Sequence, residues 1–455
     1  SSRQVCGLYP FVIGSGAPNI GVPVGRHLDT GERVCCDPIS WFQRAALISN
    51  PSAFVEAIPG IGKSTLVTRM LIGVQAYGAI PVVLGDIRPD YVDTIAALDG
   101  QVIRLGGGTG YLNPLDQGEA LAAAARLTGA VRTEVLTDAR ARRRLRVMTL
   151  VQLSRGSRPS DRETNIVDRA LEVLDERVPG TPVLEDLLEV IRSAPETVRA
   201  VALDRGDQQR YLQIVEDLEA TLLGLVTGAR FGDLFNRPTT CPMTLDSPVV
   251  FDVSQLRTSE EALQAAVLAT SWSYGYGNIA AAQILADEGL RPRKPYFIVT
   301  DEIHRVLRAG GGGMVEVIDQ ATRLNRTDGT ANVQITHTMS DLEALPNEED
   351  RKKAIGFVER AGMVICGGLP EREMDMLTRV VHLSDVERAR LTSWSAPAAW
   401  NRATGRQEPP PGRGKFLIKV GTRPGVPITL TLSEAEKAEL TNSNHRWLDL
   451  GGRPA

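Results

Sequence analysis

The residues best suited to chemistry sit in two widely separated segments. The first is AIPGIGKST at 57–65, which matches the phosphate-cradling pattern GxxxxGK[ST] except that Ala57 stands at the first glycine. Gly60 and Gly62 permit a tight turn, Lys63 can reach terminal phosphates, and the Ser64 hydroxyl can ligate magnesium. Pro59, Ile61 and Thr65 complete a loop whose amides would face an anion at the start of the following helix. The second segment is YFIVTDE at 296–302, a buried-looking strand that ends in paired carboxylates. Asp301 is suited to hold magnesium through water, and Glu302 to orient or deprotonate an attacking water. Alone, such a pair is as well explained by a helix cap. Behind a phosphate loop it points to nucleoside triphosphate hydrolysis.

Three further features carry less. Asp86 ends a strand on the expected catalytic side and either organises the site or caps a turn. Asn113, followed by Pro114, either binds nearby backbone in a turn or contacts a base. The cluster RARRRLR at 140–146, with Arg140, Arg142, Arg143, Arg144 and Arg146, is either a solvated helix face or inter-subunit salt-bridge surface, or a contact for nucleic acid or another acidic partner.

These residues need a frame to position them. Phe54–Ala57, Ile80–Leu84 and Val102–Leu105 read as strands alternating with helical stretches, a pattern of parallel α/β architecture. Before them, 24–38 reads as two short strands joined by the Asp29-Thr30-Gly31 turn. From about 117 to 235 long helical patterns replace strands, with a Pro-Gly break at 179–180. Strand-like sequence resumes at 248–256, 295–302, 332–337, 363–368, 415–420 and 426–432, and 433–440 is helix-like. The expected organisation is a strand-rich lead-in (1–45), the first part of the core (46–116), a helical insertion (117–235), the second part of the core (236–430), and a terminal helix and tail (431–455).

Composition sets outer limits. Apolar residues make up 42% and charged residues 23% of the 455, as in an ordinary globular chain. A net charge of -4 gives no nucleic-acid coat, although a channel between subunits could be locally basic. The five cysteines lack a Cys-x-x-Cys pair, so neither a disulfide framework nor a structural zinc site is expected. A membrane-spanning run of apolar residues is also absent from the sequence. Ser1 in place of Met fits either a processed chain or a piece of a longer one.

Taken with their flanks, the motifs become more specific. VGRHLDTGERVCCDP (24–38), IPGIGKST, GDIRPDY (85–91), GGGTGYLNPLD (106–116), FGDLF (231–235), FDVSQL (251–256) and FIVTDEIHRVL (297–307) together resemble the C-terminal ATPase domain of the VirB4 family. These are conjugative, type IV secretion motors within the group that includes FtsK and HerA translocases. The resemblance spans roughly 20–430, without the amino-terminal domain that commonly precedes the motor. It implies a RecA-like P-loop NTPase core with a parallel-rich sheet and an inserted helical module, using ATP and Mg2+. It also implies a homo-oligomer, in hexameric-ring form, at the cytoplasmic face of the cell membrane, with membrane-embedded secretion or conjugation proteins as partners and DNA as a further candidate. In such rings a neighbour's arginine neutralises phosphate charge; family-like placement makes Arg323 and Arg326, in ATRLNRTDGT, the candidates, an ordinary salt bridge being the alternative for each. The family commonly has a polar sensor, often Gln, where this chain has His337, which could bond phosphate or catalytic water or simply end its strand. Two other functions stay open: a DNA-translocating coupling ATPase, and a non-catalytic nucleotide-gated scaffold.

Overall fold

The computed structural model describes residues 19–439, apart from 109, 229–230, 257–259, 306, 308–328, 346 and 402–405. Arg323 and Arg326 lie outside the described residues. The strands are β1 (Pro23–His27), β2 (Arg33–Cys35), β3 (Ser52–Glu56), β4 (Ile80–Asp86), β5 (Gln101–Arg104), β6 (Val249–Asp252), β7 (Tyr296–Thr300), β8 (Thr330–Thr336), β9 (Met363–Cys366), β10 (Trp400–Asn401), β11 (Arg406–Gln407), β12 (Lys415–Lys419) and β13 (Val426–Leu430). All but β10 and β11 join one sheet in the order β2-β1-β13-β12-β9-β3-β8-β7-β4-β6-β5.

From β9 to β5 the pairings are parallel, and from β9 to β2 they are antiparallel. The architecture is an α/β core with a mostly parallel sheet, as the alternation of strands and helices implies, and it agrees with the RecA-like core that the family resemblance implies. Both faces of the sheet are covered, which is why its central strands read as continuous apolar runs. Side chains alternate between two cores. Ala53, Val55, Phe297, Val299, Val333 and Ile335 pack with Leu66, Val67, Met70 and Leu71 of the helix Lys63–Ala76. Phe54, Val82, Leu84, Phe251 and Ile298 face the other way, toward Leu268 and Trp272 of the helix Glu261–Asp287. That 27-residue helix is missing from the sequence reading. Its alanines, serines and glycines are buried on nearly every side, so it lacks the amphipathic stripe that marks a surface helix.

Between β5 and β6 the described chain is helical, with helices over Glu119–Arg126, Gly129–Arg155, Asp161–Arg177, Leu184–Arg192, Glu196–Ala202, Gln208–Thr227 and Gly232–Phe235. Most of their apolar faces join the same core as one side of the sheet, while Ala120, Ala123 and Ala124 of the first helix pack with Val135, Ala139, Ala281 and Leu285 in a separate cluster. The arginine cluster lies on the second of these helices and is consumed in internal pairing. Arg143, 1% exposed, donates to both Asp175 oxygens at 2.7 Å. Arg146 donates to the carbonyls of Pro114 and Asp116, Arg142 pairs with Asp138, Arg144 with Asp168, and Arg140 lies 3.7 Å from Asp175. These bonds run to carboxylates and, for Arg146, to backbone carbonyls of the same chain, where the sequence reading expected a solvated face or salt bridges between subunits.

Asn113 is likewise structural. Buried, it accepts from the Leu115 amide and donates to the Pro182 carbonyl, which ties the turn before the helical segment to a loop within it. At the other end of the chain, the helix Glu434–Glu439 returns to the helix Lys63–Ala76 through the Arg69–Glu436 ion pair at 2.6 Å. Among the described residues, no helix is long and apolar enough to cross a membrane.

Candidate active site

Four parallel strands that are neighbours in the sheet, β3, β8, β7 and β4, end on one edge. The segments that leave them are the loop 57–62, His337, Asp301-Glu302 and the turn 87–91. Strand order alone brings these four together, as expected at the carboxyl edge of an open α/β sheet.

The loop is built for close approach. Gly60 (φ 84°) and Gly62 (φ 106°) both take backbone conformations that side chains avoid, and Gly62 caps the helix Lys63–Ala76 without any side-chain hydrogen bond. The first turn of that helix, Lys63, Ser64 and Thr65, thus presents amides at an uncapped positive end. Ala57 is not among the residues with positive φ, so the absence of glycine there carries no backbone strain. It is fully buried, and its carbonyl accepts from Lys63 Nζ at 2.6 Å.

The same ammonium lies 2.9 Å from His337 Nδ1, and His337 Nε2 lies 3.2 Å from Glu302 Oε1. His304 Nε2 and Arg305 Nε approach Glu302 Oε2 at 3.3 and 3.9 Å. That oxygen is buried and makes no hydrogen bond, leaving it an acceptor without a donor. Glu302 also has φ of 52°, the left-handed region, which costs about 1–3 kcal/mol for a residue with a side chain. Burial would raise its carboxyl, but the hydrogen bond and charge of His337, with His304 and Arg305, hold it down at about 2.

Asp301 has the opposite environment. Burial and then the Glu302 charge push its carboxyl up to about 6. Its Oδ2 accepts from Tyr91 Oη at 3.1 Å. Asp86, the last residue of β4, accepts from the amides of Asp90 and Tyr91 at 3.2 and 2.8 Å. Asp86 thereby shapes the turn that delivers Asp90 to Ser64 Oγ, 2.8 Å away, and Tyr91 to Asp301. Both earlier readings of Asp86 apply, since capping the turn is how it organises the edge. Burial lowers the Lys63 amine, while Asp301 and Glu302 act to raise it.

Lys63, Ser64, Asp301, Glu302 and His337 thus meet at one edge, with Pro59, Gly60, Ile61, Gly62 and Thr65 in the loop and first turn beside them. Asp90, Tyr91, His304 and Arg305 escaped the sequence reading. Asp90 and Tyr91 lie inside GDIRPDY, whose two acidic residues one turn apart are the signal available for them. His304 and Arg305 follow the paired carboxylates within one helical turn.

The residues fit a magnesium nucleoside triphosphate. The open glycine loop has no atom within 4 Å of a Cβ placed at Gly60, the helix end beside it is uncapped, and Ser64 and Asp301 supply oxygen donors near the Lys63 cation.

No family model and no curated protein matches the chain. Among solved structures it is similar to VirB4 of Thermoanaerobacter pseudethanolicus, at 20% identity and a TM-score of 0.69 over 93% of this chain and 100% of that one. It is also similar to the plasmid coupling protein TrwB in complex with ADP and Mg2+, at 11% identity and a TM-score of 0.54 over 93% and 97% of the two chains. A TrwB complex with a non-hydrolysable ATP analogue gives 12% identity and a TM-score of 0.53 over 92% and 97%. These likenesses establish a shared fold across nearly the whole chain.

Proposed function

We propose that the chain is an ATP-hydrolysing motor of a conjugative or type IV secretion system, with turnover coupled to substrate transport or apparatus assembly. The observation that carries this reading is the convergence of Lys63, Ser64, Asp301 and Glu302 on one sheet edge, within a fold that VirB4 shares over 93% of the chain. TrwB, of the same fold, binds ADP with Mg2+ and an ATP analogue, which supports ATP and magnesium as the ligands here.

Ser64 and Asp301 would hold the magnesium ion, which supplies charge neutralisation of the β- and γ-phosphates. Lys63 and the amides of 60–65 bind the phosphates. Glu302, ionised at neutral pH, orients water or takes its proton. The helical segment 117–235, packed on the same core as the sheet, is the module we propose to move with the nucleotide state. In a ring, Arg323 or Arg326 would reach a neighbour's site. The proposed location is the cytoplasmic face of the cell membrane, beside membrane-embedded secretion proteins.

ATP hydrolysis measured against protein concentration, with oligomeric state recorded and with and without DNA, tests this reading. Glu302→Gln should lower turnover about 10²–10⁴-fold while largely preserving nucleotide binding, and Lys63→Ala should weaken both. Equal turnover by wild type and Glu302→Gln would sink the role of Glu302, and binding without turnover at any concentration would favour a nucleotide-gated scaffold. Strong stimulation by DNA would instead favour a coupling ATPase, the reading that the TrwB likeness supports.

A further inference from the structure

Arg305 reaches in two directions. Its Nε lies 3.9 Å from Glu302 Oε2, and its Nη1 donates to Gln264 Oε1 at 3.0 Å. A guanidinium only donates, so it selects the amide oxygen of Gln264 and leaves Nε2 to donate to the Leu256 carbonyl at 3.4 Å. Gln264, 1% exposed, lies in the first turn of the helix Glu261–Asp287. The guanidinium therefore stands between the carboxylate assigned to water and the end of a long helix from another part of the chain.

Further along, the same helix touches the helical segment 117–235. Ser273 Oγ accepts from Arg146 Nη1 at 3.4 Å, and Asn278 Oδ1 accepts from the Glu119 amide at 2.7 Å. Ala281 and Leu285 pack with Ala120 and Val135. A Cβ placed at Gly118 would lie 2.1 Å from Asn278 Oδ1, so the chain entering the segment is pressed onto this helix. Gln264 and Asn278 are about 21 Å apart along the helix axis. One rigid element thus contacts the inserted segment and, a long way off, the arginine beside Glu302.

We infer that Arg305 is a positioning residue whose bond to Gln264 couples the helical segment to Glu302 through the helix Glu261–Asp287. The inference rests on the proposed role of Glu302 in ATP hydrolysis. A shift of about 1 Å along the helix axis takes the Arg305–Gln264 contact past hydrogen-bond length. Arg305 then loses the partner that fixes it, and Glu302 loses one of the groups that orient it. Glu302 is sensitive to such a loss, since its backbone φ of 52° persists only while its surroundings hold it. The position of the segment thereby sets the alignment of the carboxylate. Nucleotide state reaches the segment by the same path, because coupling between two sites is reciprocal.

The test is hydrogen exchange on the full chain with and without a non-hydrolysable ATP analogue and Mg2+, with calorimetry reporting binding. In wild type, the analogue should change exchange in the helix Gly129–Arg155. Gln264→Leu removes the acceptor for Arg305. It should bind the analogue within about twofold of wild type and lose the response in Gly129–Arg155, with kcat about tenfold lower and KM little changed. Gln264→Glu keeps an oxygen for Arg305 and should hold kcat within about threefold of wild type. Arg305→Met, at a partly exposed side chain, should match Gln264→Leu, and it carries the comparison if Gln264→Leu does not fold. The double variant should lose no more than either single one. Binding by wild type without a response in Gly129–Arg155, a response kept in the variants, or losses that multiply in the double variant overturns the coupling alone. Failure of wild type to bind the analogue overturns the triphosphate reading and the coupling with it.

Discussion

Ser64 Oγ donates to Asp90 Oδ2 across 2.8 Å, so a carboxylate from the turn after β4 sits on the hydroxyl assigned to magnesium. Asp90 is itself held by Asp86, and burial raises its carboxyl while the Ser64 bond lowers it. An oxygen beside a metal ligand orients that ligand and adds negative charge where the cation would bind.

Asp90→Asn should therefore raise the half-saturating Mg2+ concentration for hydrolysis about tenfold. Nucleotide binding measured in EDTA should be unchanged. A magnesium titration that superimposes on wild type would remove Asp90 from the site.

Asp301 gives a pH dependence with a definite sign. Its folded carboxyl, pushed up to about 6 by burial and by Glu302, lies above the unfolded value near 4. The native state binds the extra proton, so stability falls as pH rises between about 4 and 6 and the penalty is fully present above that window. Without magnesium, Asp301→Asn should raise Tm by about 2–4 °C at pH 8 and have little effect at pH 4. Thermal melts in EDTA across this range check it, and a substitution that lowers Tm at pH 8 would contradict the assignment.

The loop is shaped by a neighbour outside its own motif. Gly367, just after β9, donates its amide to the Glu56 carbonyl at 2.8 Å, and a Cβ placed there would lie 2.6 Å from Ala57 Cβ and 2.9 Å from Ile61 Cγ2. Gly367→Ala should push the loop off its position, destabilising the fold by about 1–3 kcal/mol and weakening nucleotide binding. Ala57→Gly, where φ is not positive, should leave turnover within about twofold of wild type. Denaturant melts and nucleotide titrations of the pair decide this, and the reverse ranking would show that the loop needs glycine at position 57.

Much of the fold is readable in the sequence because its strands are short apolar runs bounded by turn residues. The strand expected at 295–302 is β7, that at 332–337 corresponds to β8, and the paired strands about Asp29-Thr30-Gly31 are β1 and β2. The helix Glu261–Asp287 is not legible, since burial on nearly every side erases the periodicity that identifies a helix. Nor does RARRRLR announce its fate. Arg143 and Arg146 are buried only because Asp175 and the carbonyls of Pro114 and Asp116 arrive from other segments.

By itself the sequence determined the chemical parts of this protein: a glycine loop that ends in Lys63 and Ser64, and a strand that ends in Asp301 and Glu302. Residue type and local spacing suffice for these, because phosphate and magnesium impose strict demands on short segments. Only the tertiary structure decided how the parts meet. The order β3-β8-β7-β4 sets His337 between Lys63 and Glu302, and Asp90 on Ser64, contacts that no local pattern encodes. Pairing of distant strands fixes such contacts through the packing of both faces of the sheet, and that information is spread over the whole chain.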